Sequence, residues 1–160
     1  MANYYTHLAF QIASSKADAE RFIQLIVAAS AIDNDETLVL GREIEAAFRS
    51  DTRSAEQVFA EVLEDMGFGI DCLFDEQSQR LTVFDRGGAP NLWALAQCLQ
   101  RLYPEKLPLG FVYSETCDKS RVDGFGGGFF TITHDTVHNE SLAQILGSEL
   151  AELEGTRNGQ

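Results

Sequence analysis

Basic residues are scarce in this sequence. Its 160 residues include 12 Lys and Arg against 25 Asp and Glu, which gives a formal net charge of −13. A surface with this balance repels nucleic acid and anionic membranes and favours partners that carry basic surfaces. We therefore expect no direct binding to nucleic acid or to a membrane.

Cysteine is also sparse, and the chain lacks any pair of closely spaced cysteines. The chain has three cysteines, Cys72, Cys98 and Cys117, and they form no Cys-x-x-Cys motif. An odd number of widely spaced cysteines is typical of a reduced cytosolic protein whose thiols are buried or incidental. The N-terminal residues lack the basic and apolar regions of a signal peptide. No uncharged apolar run approaches the roughly 18 residues of a transmembrane helix. These features predict a cytoplasmic protein.

The length and the hydrophobic content of 44% predict one domain with its own core over residues 1–154, followed by a mobile tail at 155–160. Period-2 alternation predicts strands, and apolar residues at helical spacing after two capping boxes, Ser15–Asp18 and Ser54–Gln57, predict helices. The predicted elements are a strand at 4–13, a helix from 16, a helix from 55 that ends at Gly67, a hairpin over 68–84, a helix over 92–103, strands at 109–113 and 129–133, and a helix over 142–153.

Residues 33–53 are predicted to be an insertion between the first two helices. Within it, residues 38–40 are candidates for a short strand and residues 43–48 for a short helix. Without the insertion and one helix, the order is β-α-β-β-α-β, which is that of the ferredoxin-like split βαβ arrangement. The sequence therefore predicts an α+β protein with a ferredoxin-like antiparallel sheet, helices on one face, the inserted segment, and an extra C-terminal strand and helix.

The other sheet face is expected either to stay open or to be covered by the last helix. A mixture of polar and aromatic side chains should lie on it, namely His7, Gln11, Asp71, Thr82, Phe84, Ser114 and Thr131.

A glycine-rich segment precedes the last predicted strand. Four of the five residues at 124–128 are glycine, which allows positive φ angles and close backbone approach. A bulge or a sharp strand entry is the structural interpretation of this segment. An anion-binding nest of backbone N–H groups is the functional interpretation, although no Lys follows the glycines as a P-loop requires.

The run from Cys117 to Arg121, followed by Phe125, Gly126, Gly127 and Gly128, resembles a loose family of small acidic proteins. These proteins occur in bacterial mobile elements, plasmids and phages, and carry a Cys-x-x-x-Arg…Phe-Gly-Gly-Gly pattern before a final strand and helix. The resemblance covers residues 68–146. It implies an α+β fold and a mobile-element setting, and it implies no particular chemistry.

Two motifs are candidates for chemistry. His134 and His138 form an His-x-x-x-His pair, which on a helix could hold a metal, but the intervening residues favour helix poorly and two surface histidines are the plainer interpretation. Cys117 would be a nucleophile if Lys119 and Arg121 lowered its pKa, but neighbouring acids oppose this. We therefore predict no catalytic residue, no metal and no cofactor.

The acidic residues are unevenly distributed. Residues 33–76 contain thirteen acids against three arginines, and so contribute −10 of the total charge of −13. Of these acids, Glu61 and Asp65 would repel one another at i,i+4 spacing on one helix. The predicted acidic surface comprises Glu43, Glu45, Glu56, Glu61, Glu64 and Asp65. We expect it to engage a basic, nucleic-acid-handling protein as a non-enzymatic inhibitor or modulator that partly mimics nucleic acid.

Three alternatives remain open at this point. The acidic surface is simply solvated, as in many cytosolic domains. The chain is a small-ligand binder or an enzyme whose site lies at the glycine-rich segment and the open sheet face. That site would use Cys117, Arg121, Gly126, Gly127, Gly128 and His134. The third alternative is a homodimer formed through an exposed sheet edge.

Overall fold

The computed structural model describes residues 3–34, 36–64, 67–119 and 125–157. Within these residues the chain forms a six-stranded antiparallel sheet and five α-helices, and thus belongs to the predicted α+β class. The elements are β1 (Tyr4–Ala13), α1 (Lys16–Asp33), α2 (Arg42–Phe48), α3 (Ala55–Leu63), β2 (Ile70–Asp75), β3 (Arg80–Asp85), α4 (Leu92–Leu102), a 3₁₀ turn (Pro104–Lys106), β4 (Leu109–Cys117), β5 (Phe125–Ile132), β6 (Val137–Ser141) and α5 (Leu142–Arg157).

Strand β1 joins the two halves of the sheet, whose strand order is β2-β3-β1-β4-β5-β6. Residues 9–13 of β1 pair with residues 80–84 of β3, whereas residues 4–8 pair with residues 113–117 of β4. Each half of β1 is therefore bonded to a different neighbour. The β2–β3 hairpin pairs residue for residue, as the sequence predicts.

The core lies on one face of the sheet. Successive strand side chains point to opposite faces, and the buried ones share a face: Leu8, Ile12, Ile70, Leu81, Val83, Phe111, Phe130 and Ile132. They belong to one cluster with fully buried helix residues such as Phe22 of α1, Phe59 of α3 and Leu95 of α4. The strand registers place Gln11 and Thr82 on the opposite face, where their side chains form a hydrogen bond of 3.0 Å.

The predicted helix starts are confirmed by reciprocal hydrogen bonds. Ser15 and Asp18 form one capping box at α1, and Ser54 and Gln57 form another at α3, which satisfies N–H groups that have no partner within the helix. The predicted end of α3 at Gly67 is wrong. The helix ends at Leu63, because Glu64 adopts a left-handed conformation with φ 53° and caps it.

The predicted insertion contributes to the core. Helix α2 confirms the short helix expected at 43–48, but residues 38–40 form no strand. Ile44 and Phe48 are fully buried. The Phe48 ring meets that of Phe59 edge-on, with 5.0 Å between centroids, so aromatic packing joins α2 to α3.

The glycine-rich segment is mostly strand. Gly126, Gly127 and Gly128 lie in β5 and pair one-to-one with Glu115, Ser114 and Tyr113 of β4. The bulge interpretation is therefore wrong for these three residues, since a bulge would set two residues against one. Gly124 lies outside the described residues.

Strand β6 lies where the sequence predicted no element, between the strand at 129–133 and the helix that begins at 142. It pairs with β5 along residues 137–141. The turn before it is closed by Thr133, whose N–H donates to the Thr136 carbonyl at 2.8 Å. As an edge strand of mixed polarity, β6 lacks the apolar alternation by which strands are recognised.

Helix α5 begins with a further pair of reciprocal bonds, between Ser141 and Gln144. Leu142, Leu146 and Leu150 recur on it at helical spacing, and each is more than half exposed. The helix extends to Arg157 and so includes residues 155–157 of the predicted tail. None of the helices in the described ranges has the length and apolar character required to span a membrane.

Candidate functional site

The predicted acidic surface lies on two helices in contact. Glu43 and Glu45 occupy the first turn of α2, Glu56 and Glu61 lie on α3, and Glu64 caps α3. Helices α2 and α3 pack together, so these residues lie on two adjoining helices. Asp65 lies outside the described residues.

Arginines neutralise part of this surface. Arg21 Nε lies 2.6 Å from Glu43 Oε2. Its N–H is not directed along that contact, so the pair is an ion pair rather than a hydrogen bond. Arg53 pairs with Glu61. Glu45, Glu56 and Glu64 are exposed and have no ion pair within the described part of the chain.

The residues predicted for the glycine-centred site are not all brought together. Cys117 lies at the end of β4, next to Asp118, whereas His134 follows the opposite end of β5. The seven steps along β5 between these ends correspond to about 23 Å at roughly 3.3 Å per residue. Arg121 lies outside the described residues. Among the described residues of this set, Gly126 and Gly128 lie on the sheet face of Tyr113 and Glu115, which line a cleft, and Cys117 follows on the same face of β4.

The histidine and cysteine motifs give no cluster. His138 lies in β6 with its Nε2 4.0 Å from Glu140 Oε1, and not on a helix with His134. No group of three or more His, Cys, Asp or Glu with metal-binding geometry occurs in the described ranges. Burial, and then the Asp71 carboxylate, raises the pKa of Cys72 to about 11. Burial also raises the pKa of Cys98, so both thiols stay protonated at neutral pH.

A cleft of about 660 Å³ lies between the start of α4 and the sheet. One side is formed by residues 89–93 with Gly67 and Gly69, and the other by the side chains of β1, β4, β5 and β6. The sheet residues are Thr6, Tyr113, Glu115, Phe130 and Asn139. Clefts of this size that combine apolar walls with a few polar groups are typical ligand sites.

Gly126 and Gly128 of β5 leave room for two side chains that line the cleft. A Cβ at Gly126 would lie 2.7 Å from Glu115 Oε2, and a Cβ at Gly128 would lie 2.9 Å from the Tyr113 hydroxyl. Both distances are too short for real side chains. The absence of side chains at these two positions therefore gives Tyr113 and Glu115 the space that they occupy beside the cleft.

Three aromatic rings enclose the inner part of the cleft. Phe130 is almost fully buried at its base. Trp93 meets Phe130 edge-on at 5.2 Å, and Tyr113 lies 6.0 Å from the same ring. The Asn139 side-chain amide donates to the Tyr113 hydroxyl at 3.3 Å and to the Phe129 carbonyl at 3.2 Å. Trp93 keeps half of its surface exposed.

Asp85, which sequence reasoning missed, fixes the loop that leads to α4. Its carboxylate accepts hydrogen bonds from the N–H groups of Leu8 at 2.9 Å and Gly88 at 3.0 Å, and lies 3.4 Å from His7 Nδ1. Burial disfavours the charged carboxylate, but these bonds outweigh that effect and hold the pKa of Asp85 below its ordinary value. An Asp two residues before a Gly-Gly pair is the sequence signal that could have revealed this loop anchor.

We expect Asp85→Asn to lower the free energy of unfolding at pH 7 by about 1–3 kcal/mol, the usual cost of losing charge-assisted hydrogen bonds. The folded-state pKa of Asp85 lies below the unfolded value of about 3.9. The stabilisation is therefore present above the unfolded pKa and is lost as the pH falls through the folded pKa. Urea unfolding at pH 7 and pH 3 measures this, and the difference between wild type and variant should shrink at pH 3. Two results would contradict the role of the ionised Asp85 carboxylate. One is an equal loss of unfolding free energy at both pH values, and the other is an equal loss in the exposed Asp135→Asn control.

Comparison of the chain with protein-family profiles, curated protein sequences and solved structures finds no match. The candidate sites therefore depend on the chain's own geometry. That geometry offers two surfaces suited to binding: the acidic surface of α2 and α3, and the cleft beside α4.

Proposed function

We propose that this chain is a cytoplasmic, non-enzymatic binding protein whose acidic surface on α2 and α3 engages a basic protein. The observation that carries this proposal is the exposure of Glu45, Glu56 and Glu64 on two adjoining helices, with no ion pair in the described part of the chain. Three carboxylates without a cationic partner in the described ranges give this surface a negative potential, which favours a basic partner. The partner is a nucleic-acid-handling protein, which the chain inhibits or modulates partly as a nucleic-acid mimic.

The resemblance to small acidic proteins of mobile elements supports the same setting. We further propose that β1, α1, β2, β3, α4 and β4 form a ferredoxin-like split βαβ core. The order β2-β3-β1-β4 with antiparallel neighbours supports this proposal. Strands β5 and β6 would then extend that core on its β4 side.

Reversing Glu56, Glu61 and Glu64 together to Lys should weaken partner binding by about tenfold or more, because like charges face one another in the complex. Affinity capture from the native host at low and moderate salt identifies the partner, and calorimetry with the purified partner measures the loss. Wild-type binding should also weaken as salt rises, since exposed charge pairs are screened.

The matched control reverses Glu105, Asp135 and Glu149, which changes the net charge equally at positions outside α2 and α3. Circular dichroism confirms that both triple variants fold. Unchanged binding after reversal on α3 would refute the proposal. Equal losses from both triples would show that total charge matters and that this surface does not.

A second candidate function is the binding of a small ligand at the cleft beside α4. The specific observation in its favour is that Gly126 and Gly128 leave space for Tyr113 and Glu115 at that cleft. Like the small-ligand alternative from the sequence, this candidate function depends on the glycine-rich segment. It places the ligand on the helix-covered face of the sheet instead of the open face, and it does not require Cys117 or His134.

A further inference from the structure

The cleft beside α4 combines aromatic walls with one sign of charge. Trp93 meets the buried ring of Phe130 edge-on at 5.2 Å, and the Tyr113 ring lies 6.0 Å from the same ring. Aromatic faces are electron-rich and attract cations. The ring of Trp93, which is half exposed, has surface left to contact a ligand.

Glu115 supplies the charge. It lies two residues beyond Tyr113 on the same face of β4, about 7 Å further along the strand at roughly 3.3 Å per residue. Both side chains border the cleft, and Glu115 is the only charged residue among the described residues that line it. The chain as a whole carries a charge of −13, which adds to the attraction for cations.

We propose that the cleft binds a small organic cation with an alkylated ammonium group. The ammonium group lies against Trp93 and Tyr113, with Phe130 beneath them at the base of the cleft, and the Glu115 carboxylate neutralises its charge. This inference rests on the second candidate function and specifies its ligand class. Quaternary ammonium groups are recognised by aromatic cages because their charge is spread over a surface that is itself apolar.

The N-terminus of α4 also borders the cleft and would attract a ligand of the opposite charge, an anion. A helix N-terminus favours anions, and Leu92 and Trp93 belong to the first turn of α4. Part of this end is already satisfied, since the Asn91 side chain accepts the N–H of Ala94 at 3.2 Å. A preference for cations would therefore indicate binding at Glu115 and the aromatic rings. A preference for anions would indicate binding at the N-terminus of α4.

The test uses the intrinsic fluorescence of the full chain, in which Trp93 is the single tryptophan. Choline is the cationic probe, 3,3-dimethyl-1-butanol is its neutral isostere, and acetate is the anionic probe, with sodium chloride added to keep the ionic strength constant. We expect a saturable change in Trp93 emission with choline, an affinity about tenfold weaker for the neutral isostere, and no saturable change with acetate.

Two variants locate the binding site. Glu115→Gln should weaken choline binding by about tenfold and leave binding of the neutral isostere unchanged. Gly126→Ala should also weaken choline binding, because the new methyl group occupies the position near Glu115 Oε2 and displaces that carboxylate. The control is Glu105→Gln, which removes one carboxylate near the opposite end of β4. Thermal unfolding confirms that each variant folds.

Each outcome bears on a separate claim. Equal binding of choline and its neutral isostere would overturn the cationic assignment and leave the cleft as a ligand site. Saturable binding of acetate would overturn it in favour of the helix end. No change in Trp93 emission with any probe, confirmed by unchanged amide resonances in titrations of the same chain, would overturn the ligand site as well. None of these results affects the acidic surface, which the charge-reversal experiment tests separately.

Discussion

Gly128→Ala should destabilise the fold by about 2–4 kcal/mol, which is large for the addition of one methyl group. Gly128 lies in β5 between its partners Tyr113 of β4 and Ser141 of β6. A Cβ there would collide with the Glu140 carbonyl oxygen and come within 3.0 Å of the Ser141 Cα. Backbone atoms of a paired strand cannot move aside as a side chain can. We therefore expect β6 to be displaced, and chemical denaturation measures the loss.

Gly126→Ala is the matched control for this prediction. It adds the same methyl group two residues earlier on the same face of β5, but the nearest atom there is the end of the flexible Glu115 side chain. We expect a loss of about 1 kcal/mol or less, because that side chain can rotate away. Equal losses in the two variants would mean that strand propensity, rather than contact with β6, sets the cost.

Phe130→Ala should lower the free energy of unfolding by about 3–5 kcal/mol, the usual cost of removing a buried phenylalanine ring. Phe130 is 2% exposed. Its ring stacks on Phe111 at 5.0 Å and also meets Trp93 and Tyr113. The variant should therefore shift the emission of Trp93 in the folded state as well as the denaturation midpoint.

Phe125→Ala provides the comparison on the same strand. Phe125 is 72% exposed and its side chain lies on the opposite face of β5, so its removal should change the stability by no more than about 0.5 kcal/mol. A large effect at Phe125 would show that the open face is covered in solution. A small effect at Phe130 would contradict its place in the core.

Local signals predicted several elements correctly. Ser15 with Asp18, and Ser54 with Gln57, give helix starts because their hydrogen bonds are made within four residues. The first strand and the β2–β3 hairpin follow from alternation, since one face of each strand is buried. Such features depend on neighbours in the sequence and are accessible without the fold.

Features set by distant contacts were not predictable in the same way. Glycine content indicated close approach in β5, but only the fold shows that Tyr113 and Glu140 are the neighbours that require it. Strand β6 depends on pairing with β5, and its own residues carry no clear pattern. The left-handed end of α3 at Glu64 has no glycine to mark it.

The candidate sites divide in the same way. The acidic surface was visible from the composition of residues 33–76, whereas its partial neutralisation by Arg21 and Arg53 required the structure. The cleft was not predictable, because it combines residues from β1, β4, β5 and β6 with the start of α4. The half-exposed position of Trp93 also could not be predicted, because it depends on how α4 packs on the sheet.

The divided pairing of β1 also fixes the position of the cleft walls. Its first five residues belong to the ladder with β4 and its last five to the ladder with β3. The Thr6 N–H, in the part of β1 that pairs with β4, also donates to the Gly88 carbonyl at 2.7 Å. The loop after β3 leads to one wall of the cleft and β4 forms the other, so both walls are held at a set separation by backbone hydrogen bonds to the same five residues of one strand.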